Sequence, residues 1–168
     1  MKILRVIFPA GILVVGFVYW LLVSADEGAN AASIPVDVKP AALHDLIAMA
    51  DRIVVTQGAD KNAKVIFESS KMDDIQAFNE SLRPIIPASA FYCLCAATET
   101  IYVYQKNKKL VAIEYITPDE IDVDLWGSEA HIANPEKLLQ WFDDHDMHNP
   151  RAMYKAYYRL AEKLKQKQ

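Results

Sequence analysis

An uncharged apolar run near the amino terminus constrains this chain more than any other feature. The run extends from Val6 to Val23, eighteen residues, with two basic residues before it and two acidic residues after it. As a helix rising about 1.5 Å per residue, it would be about 27 Å long, close to the hydrocarbon thickness of a bilayer. The sequence therefore predicts a transmembrane helix or a signal sequence within residues 1–25.

This segment has two interpretations. Its length and the Tyr19-Trp20 pair favour a retained anchor, because amphipathic aromatic side chains hold helices at the bilayer interface. Cleavage near Ala31, after the small-residue pattern Ala29-Asn30-Ala31, is the alternative. Either way the basic flank keeps the amino terminus in the cytoplasm, so the domain is extracytoplasmic. It is tethered to the bilayer through residues 6–23, or secreted or periplasmic after cleavage.

The rest of the chain reads as a linker and one domain. Residues 26–39 are rich in Ala, Ser, Asn and Pro, a composition typical of a linker. Residues 40–168 are long enough for a single domain with one core. The net charge of −4 argues against a nucleic-acid partner.

Hydrophobic periodicity predicts the fold class. Apolar residues at helical spacing indicate a helix over residues 40–50 and another that begins at Ser70 and buries Met72, Ile75, Phe78 and Leu82. Two closing helices are expected to begin at Asn134-Pro135 and Asn149-Pro150. Alternating or β-branched segments predict strands at residues 52–56, 64–68, 91–96, 100–105, 110–116 and 121–125. The expectation is an α+β fold, with a mostly antiparallel sheet of about five to six strands and helices packed on one face.

The common signatures of enzymes are absent from the sequence. A phosphate-binding loop needs clustered glycines, and the five glycines of this chain are scattered. Neither a His-Glu-x-x-His zinc helix nor a nucleophile elbow occurs. We therefore expect a binding domain without catalytic activity and without a cofactor.

Cys93 and Cys95 flank one leucine in a predicted strand. Both sulfurs would face one side, with Cα atoms about 6.6 Å apart, near the upper limit for a disulfide. Three interpretations are open: two small buried side chains, a strained disulfide, or two ligands of a soft metal. The last two define an alternative function, a thiol-redox or metal-binding envelope protein.

His145 and His148 are the other candidate metal ligands. They lie one helical turn apart, and three carboxylates fall within the same six positions, at Asp143, Asp144 and Asp146. A hydrophilic turn at a helix carboxyl end, where histidine complements the macrodipole, explains the same pattern without a metal.

Acidic residues are concentrated between positions 119 and 146, where nine of them accompany one lysine. Such a surface steers a basic protein, as an inhibitor or immunity-type protein would require. The candidate partner-binding residues are Asp119, Glu120, Asp122, Asp124, Trp126 and Glu129.

The last helix is basic and amphipathic. One face carries Arg151, Lys155, Arg159, Lys163, Lys165 and Lys167, and the other carries Met153, Tyr154, Tyr157, Leu160, Ala161 and Leu164. The simplest interpretation packs the tyrosine-rich face against the domain. Contact with anionic lipid or with an acidic partner is the alternative.

Several of these features together resemble a group of small uncharacterised bacterial exported proteins with a Cys-x-Cys strand. They are Tyr92-Cys-Leu-Cys95, the following hairpin, the acidic stretch around Trp126, and the segment from Pro135 to Trp141. The resemblance covers about residues 50–147, although this chain has Ala96-Ala97 where members often carry a glycine. It implies no activity. The leading hypothesis is thus a membrane-tethered extracytoplasmic interaction domain.

Overall fold

A computed structural model describes residues 39–59, 63–86, 96–126 and 129–166. The predicted membrane segment, most of the predicted linker, and Cys93 and Cys95 of the predicted strand lie outside these residues. Within the described ranges, no helix is both long enough and apolar enough to cross a bilayer.

The described residues form one open antiparallel sheet and four helices. The strands are β1 (Arg52–Gln57), β2 (Val65–Ser69), β3 (Pro84–Ile85), β4 (Glu99–Gln105), β5 (Lys108–Ile116), β6 (Glu120–Val123) and β7 (Ala130–Ile132). Their order is β2-β1-β4-β5-β6-β7-β3, with every neighbouring pair antiparallel. The helices are α1 (Lys39–Ala48), α2 (Met72–Ser81), α3 (Pro135–Asp144) and α4 (Asn149–Lys165). The predicted α+β class is confirmed, with seven strands rather than five or six.

One face of the sheet forms the core together with three helices. Alternation along the central strands aligns Ile101, Ile113 and Val123 directly opposite one another, and all three are fully buried. The buried side chains of α1, α2 and α3 complete the same cluster, including Leu43, Ile47, Ile75, Phe78, Leu138 and Phe142. From α4, Tyr154 packs against this cluster. The last helix therefore lies at the margin of the core.

Trp141 joins three elements at one end of the core. Its ring meets Phe67 of β2 edge-on, with centroids 5.6 Å apart, and Phe78 of α2 at 4.9 Å. The indole Nε1 donates a hydrogen bond to the Asp74 backbone oxygen at 3.2 Å. This aromatic contact fixes α3 against α2 and the sheet edge.

The start of α2 differs from its sequence prediction. The helix begins at Met72 rather than Ser70, and Met72 is 57% exposed instead of buried. Ser69 organises this end, since its Oγ accepts the Lys71 N–H at 3.1 Å and donates to Asp74 Oδ2 at 2.5 Å. A serine one position earlier than predicted therefore closes the first turn.

Candidate functional site

An exposed apolar stripe runs along α4. Met153, Tyr157, Leu160 and Leu164 are 44%, 48%, 58% and 56% exposed. Their spacing of i, i+4, i+7 and i+11 places them on one side of the helix. The interpretation that this face packs against the domain is therefore wrong for these four residues. Contact with lipid or with a partner stays open for them.

Arg151 links the first turn of α4 to α3 through two ion pairs. Its Nη1 lies 2.7 Å from Glu136 Oε2, and its Nε donates to Asp143 Oδ2. The hydrogen bond to Glu136, and then that to Asp143, raise the pKa of Arg151 despite partial burial. Burial alone would raise the pKa of Asp143, but the hydrogen bonds from Arg151 and His148 lower it overall. Arg151 is thus engaged within the domain.

A cationic groove lies on the side of α4 opposite the apolar stripe. It has a volume of about 570 Å³ and is lined by His148, Arg151, Lys155 and Arg159, with Asp143 at one side. Asp143 is neutralised by Arg151, whereas Lys155 and Arg159 have no ion-pair partner among the described residues. The groove therefore presents two free positive charges that suit a phosphate or carboxylate.

Removing the Arg151 charge tests how α4 is held. Replacing Arg151 by Met should lower the free energy of unfolding by about 1 kcal/mol, because two partly exposed ion pairs are lost. The loss should shrink in high salt, which screens such pairs. Arg159→Met is the matched control, since it removes the same charge from an unpaired position of the same helix. Chemical denaturation at low and high salt measures both variants, and equal effects would contradict this role of Arg151.

The acidic candidates are divided by the fold. Asp122 on β6 lies directly opposite Glu114 on β5. Burial, followed by the charges of Asp122 and Asp124, raises the pKa of Glu114. Asp124 is ion-paired with Lys109 at 2.8 Å. These contacts place Glu114, Asp122 and Asp124 in one acidic patch on the sheet face opposite the core. Glu114 is not among the candidates from sequence, because its position beside Asp122 depends on the cross-strand register.

The other four partner-binding candidates are buried or make separate contacts. Trp126 and Glu129 are 8% and 4% exposed, so both side chains are largely buried. Glu120 Oε1 lies 3.6 Å from His131 Nδ1, and burial raises the pKa of Glu120. The backbone oxygen of Asp119 accepts the Ile132 N–H at 2.7 Å. Glu120 shares the sheet face of Asp122 but contacts His131, so of the six candidates Asp122 and Asp124 are those whose charges act on Glu114.

The two candidate histidines contact different carboxylates. His145 Nδ1 lies 2.7 Å from the Trp141 oxygen, and its Nε2 lies 3.5 Å from Asp74 Oδ1. His148 Nδ1 lies 3.3 Å from Asp143 Oδ1. Within the described ranges, no three His, Cys, Asp or Glu side chains form a group that could hold a metal ion. Cys93 and Cys95 fall outside those ranges, so the thiol-redox and metal interpretations stay predictions.

Comparison with known proteins assigns no family. No protein-family profile, no curated protein and no solved structure matches the chain. The surfaces of the domain itself must therefore indicate its function, and among those described here the α4 surface has the most exposed large apolar side chains.

Proposed function

We propose that this protein is a membrane-tethered extracytoplasmic interaction domain without catalytic activity, and that α4 rests on an anionic bilayer surface. The exposed stripe of Met153, Tyr157, Leu160 and Leu164 carries this proposal. Interfacial helices combine such a stripe with basic residues on the polar face. The tether is the apolar run of residues 6–23.

Charge favours an anionic bilayer as the surface that covers this helix. Lys155, Arg159, Lys163 and Lys165 accompany a single acidic residue, Glu162, over the same turns. Each basic residue near an anionic membrane surface contributes about 1 kcal/mol. The stripe offers its side chains to the acyl boundary, and the long lysine and arginine side chains of the opposite, basic face extend toward the lipid phosphates.

The tether makes a weak contact of this kind effective. A short interfacial helix binds a membrane reversibly, and its affinity depends on the apolar area it buries. An anchor in the same chain turns binding into an intramolecular event, with an effective concentration in the millimolar range or so for a short flexible linker. The contact would then orient the domain on the membrane, with no need for high intrinsic affinity.

Hydrogen–deuterium exchange of the full chain in lipid nanodiscs tests the proposal. The α4 amides should exchange about tenfold more slowly in discs containing phosphatidylglycerol than in discs of phosphatidylcholine alone, which corresponds to about 1.4 kcal/mol of added protection. The double substitution Leu160→Asp and Leu164→Asp should abolish the difference, because it places charges at the acyl boundary. Met72→Asp is the matched control, since Met72 is equally exposed but lies on α2.

Two results would contradict bilayer contact. Equal exchange of α4 in both kinds of disc, for the native chain and the double variant alike, would remove the lipid interaction. Protection that appears only after a purified acidic protein is added would identify a protein surface as the occupant instead. The disc composition is the variable that separates these cases, since the tether is present throughout.

A further inference from the structure

Glu99, the first residue of β4, is a fully buried acid. Its side chain shares the core-facing side of the sheet with Tyr115, its direct partner on β5, and its relative exposure is 0%. The Asn149 side-chain amide donates a hydrogen bond to Glu99 Oε1 at 2.8 Å. The second oxygen, Oε2, is buried and has no hydrogen-bond partner among the described residues.

This second oxygen has no structural use in the described fold. Oε1 has a structural role, because its hydrogen bond from Asn149 holds the first turn of α4 against the sheet. Burial raises the pKa of Glu99, and the hydrogen bond from Asn149 only partly opposes it. Buried polar groups are nearly always paired, so an unpaired one needs an explanation, such as a bound water, ion or ligand. Glu99 Oε2 is therefore a candidate acceptor for a ligand.

Glu99 lines a cavity of about 290 Å³ beneath the turn between α3 and α4. Gln57 comes from β1 and Ile66 from the edge strand β2, Asp146 and His148 come from the turn, and Pro150 comes from the first turn of α4. The described lining contains two carboxylates and neither lysine nor arginine. Its volume is at the lower limit of the range of about 300–1,000 Å³ typical of ligand pockets, so it suits one side-chain-sized group.

We propose that this cavity binds an alkylammonium or guanidinium group, with Glu99 Oε2 as its acceptor. The buried carboxylate of Glu99 favours a cation, the fully exposed Asp146 carboxylate adds negative charge at the rim, and Gln57 supplies a further polar group at the mouth. Ile66 and Pro150 provide apolar surface for the alkyl stem. A free amine and a lysine or arginine side chain of a peptide share this chemistry. The site lies apart from the exposed stripe and does not depend on contact between α4 and the bilayer.

Ligand-observed saturation-transfer NMR on the full chain tests this site. The chain is held in nanodiscs of phosphatidylcholine, so that cations do not bind the lipid. The probes are n-butylguanidine, n-butylamine, and the capped tripeptide Gly-Arg-Gly, with n-butanol as the neutral analogue. We expect saturable binding of a cation and none of n-butanol. If the free cations and the tripeptide both bind, the site accepts small-molecule cations. If the tripeptide alone binds, the site accepts a side chain of a partner protein. Either result supports the proposal.

Glu99→Gln should weaken cation binding by about tenfold or more, because a charge-assisted hydrogen bond is replaced by an amide. Glu114→Gln is the matched control, because Glu114 is a half-buried acid on the opposite sheet face and should leave binding unchanged. Ile66→Trp narrows the cavity without touching the carboxylate and should also reduce binding. Absence of saturable binding, or equal binding by native chain, Glu99→Gln and Ile66→Trp, would overturn the proposal.

Discussion

Replacing Trp141 by Ala should lower the free energy of unfolding by about 3–5 kcal/mol, the usual cost of truncating a large buried aromatic residue. The indole is buried and touches Phe67, Phe78 and Phe142, so truncation leaves a cavity between α3, α2 and β2. It also leaves the Asp74 backbone oxygen without the indole N–H. Denaturant unfolding of the full chain in neutral detergent, followed by far-ultraviolet circular dichroism, measures the loss.

Tyr157→Ala is the matched control for this substitution. Tyr157 is an aromatic residue of α4 that is 48% exposed, and its removal should change the stability by no more than about 0.5 kcal/mol. Comparable losses from the two substitutions would mean that α4 packs against the core after all. That result would also weaken the proposed bilayer contact, which requires Tyr157 to be accessible.

The parts of the fold that could be predicted from sequence are those in which the hydrophobic pattern continues over many residues. Predicted strands at 100–105 and 110–116 correspond to β4 and β5, because alternation over six or more residues is distinctive. The strands β3 and β7 contain two and three residues, too few to show alternation. They form through pairing with each other across a long sequence separation, which a local pattern does not record.

For the α4 surface as well, the sequence predicts the local pattern but not the tertiary contacts. Sequence periodicity identified its apolar and basic faces. Whether a neighbour covers the apolar face depends on where α4 leaves the core, and that is set by Arg151 and Asn149 at its first turn. Asn149, which the sequence places at the start of this helix, holds the first turn to the sheet because its side-chain amide donates to Glu99 Oε1.

Glu99 itself could have been found from the sequence. The predicted strand began at Thr100, one residue too late. Extending the alternation by one position places Glu99 in phase with Ile101 and Val103, which marks an acid on the buried side of the sheet. The cavity above it could not be predicted, because its other wall is the turn between α3 and α4, about fifty residues later in the chain.

Replacing Glu99 by Gln should make the domain more stable at neutral pH and remove part of its pH dependence. Burial raises the native pKa of Glu99 above its usual value of 4.5, so the native state binds this proton more tightly than the unfolded chain does. The resulting stability is fully present below pH 4.5 and is lost as the pH rises through the raised native pKa. Gln cannot ionise, so the variant should keep its stability over this interval while the native chain loses it.

Thermal unfolding midpoints from about pH 4 to pH 8 measure this difference, because linkage makes the gap between the two curves widen with pH. Glu114→Gln is again the control. Burial and the charges of Asp122 and Asp124 also raise the pKa of Glu114, but its side chain is only half-buried, so its curve should diverge less. A gap for Glu99→Gln that is constant with pH would refute the assignment of the lost stability to Glu99 ionisation. If the cavity binds a cation, n-butylguanidine should raise the native midpoint at neutral pH and leave that of Glu99→Gln unchanged, because only the ionised native site gains a ligand.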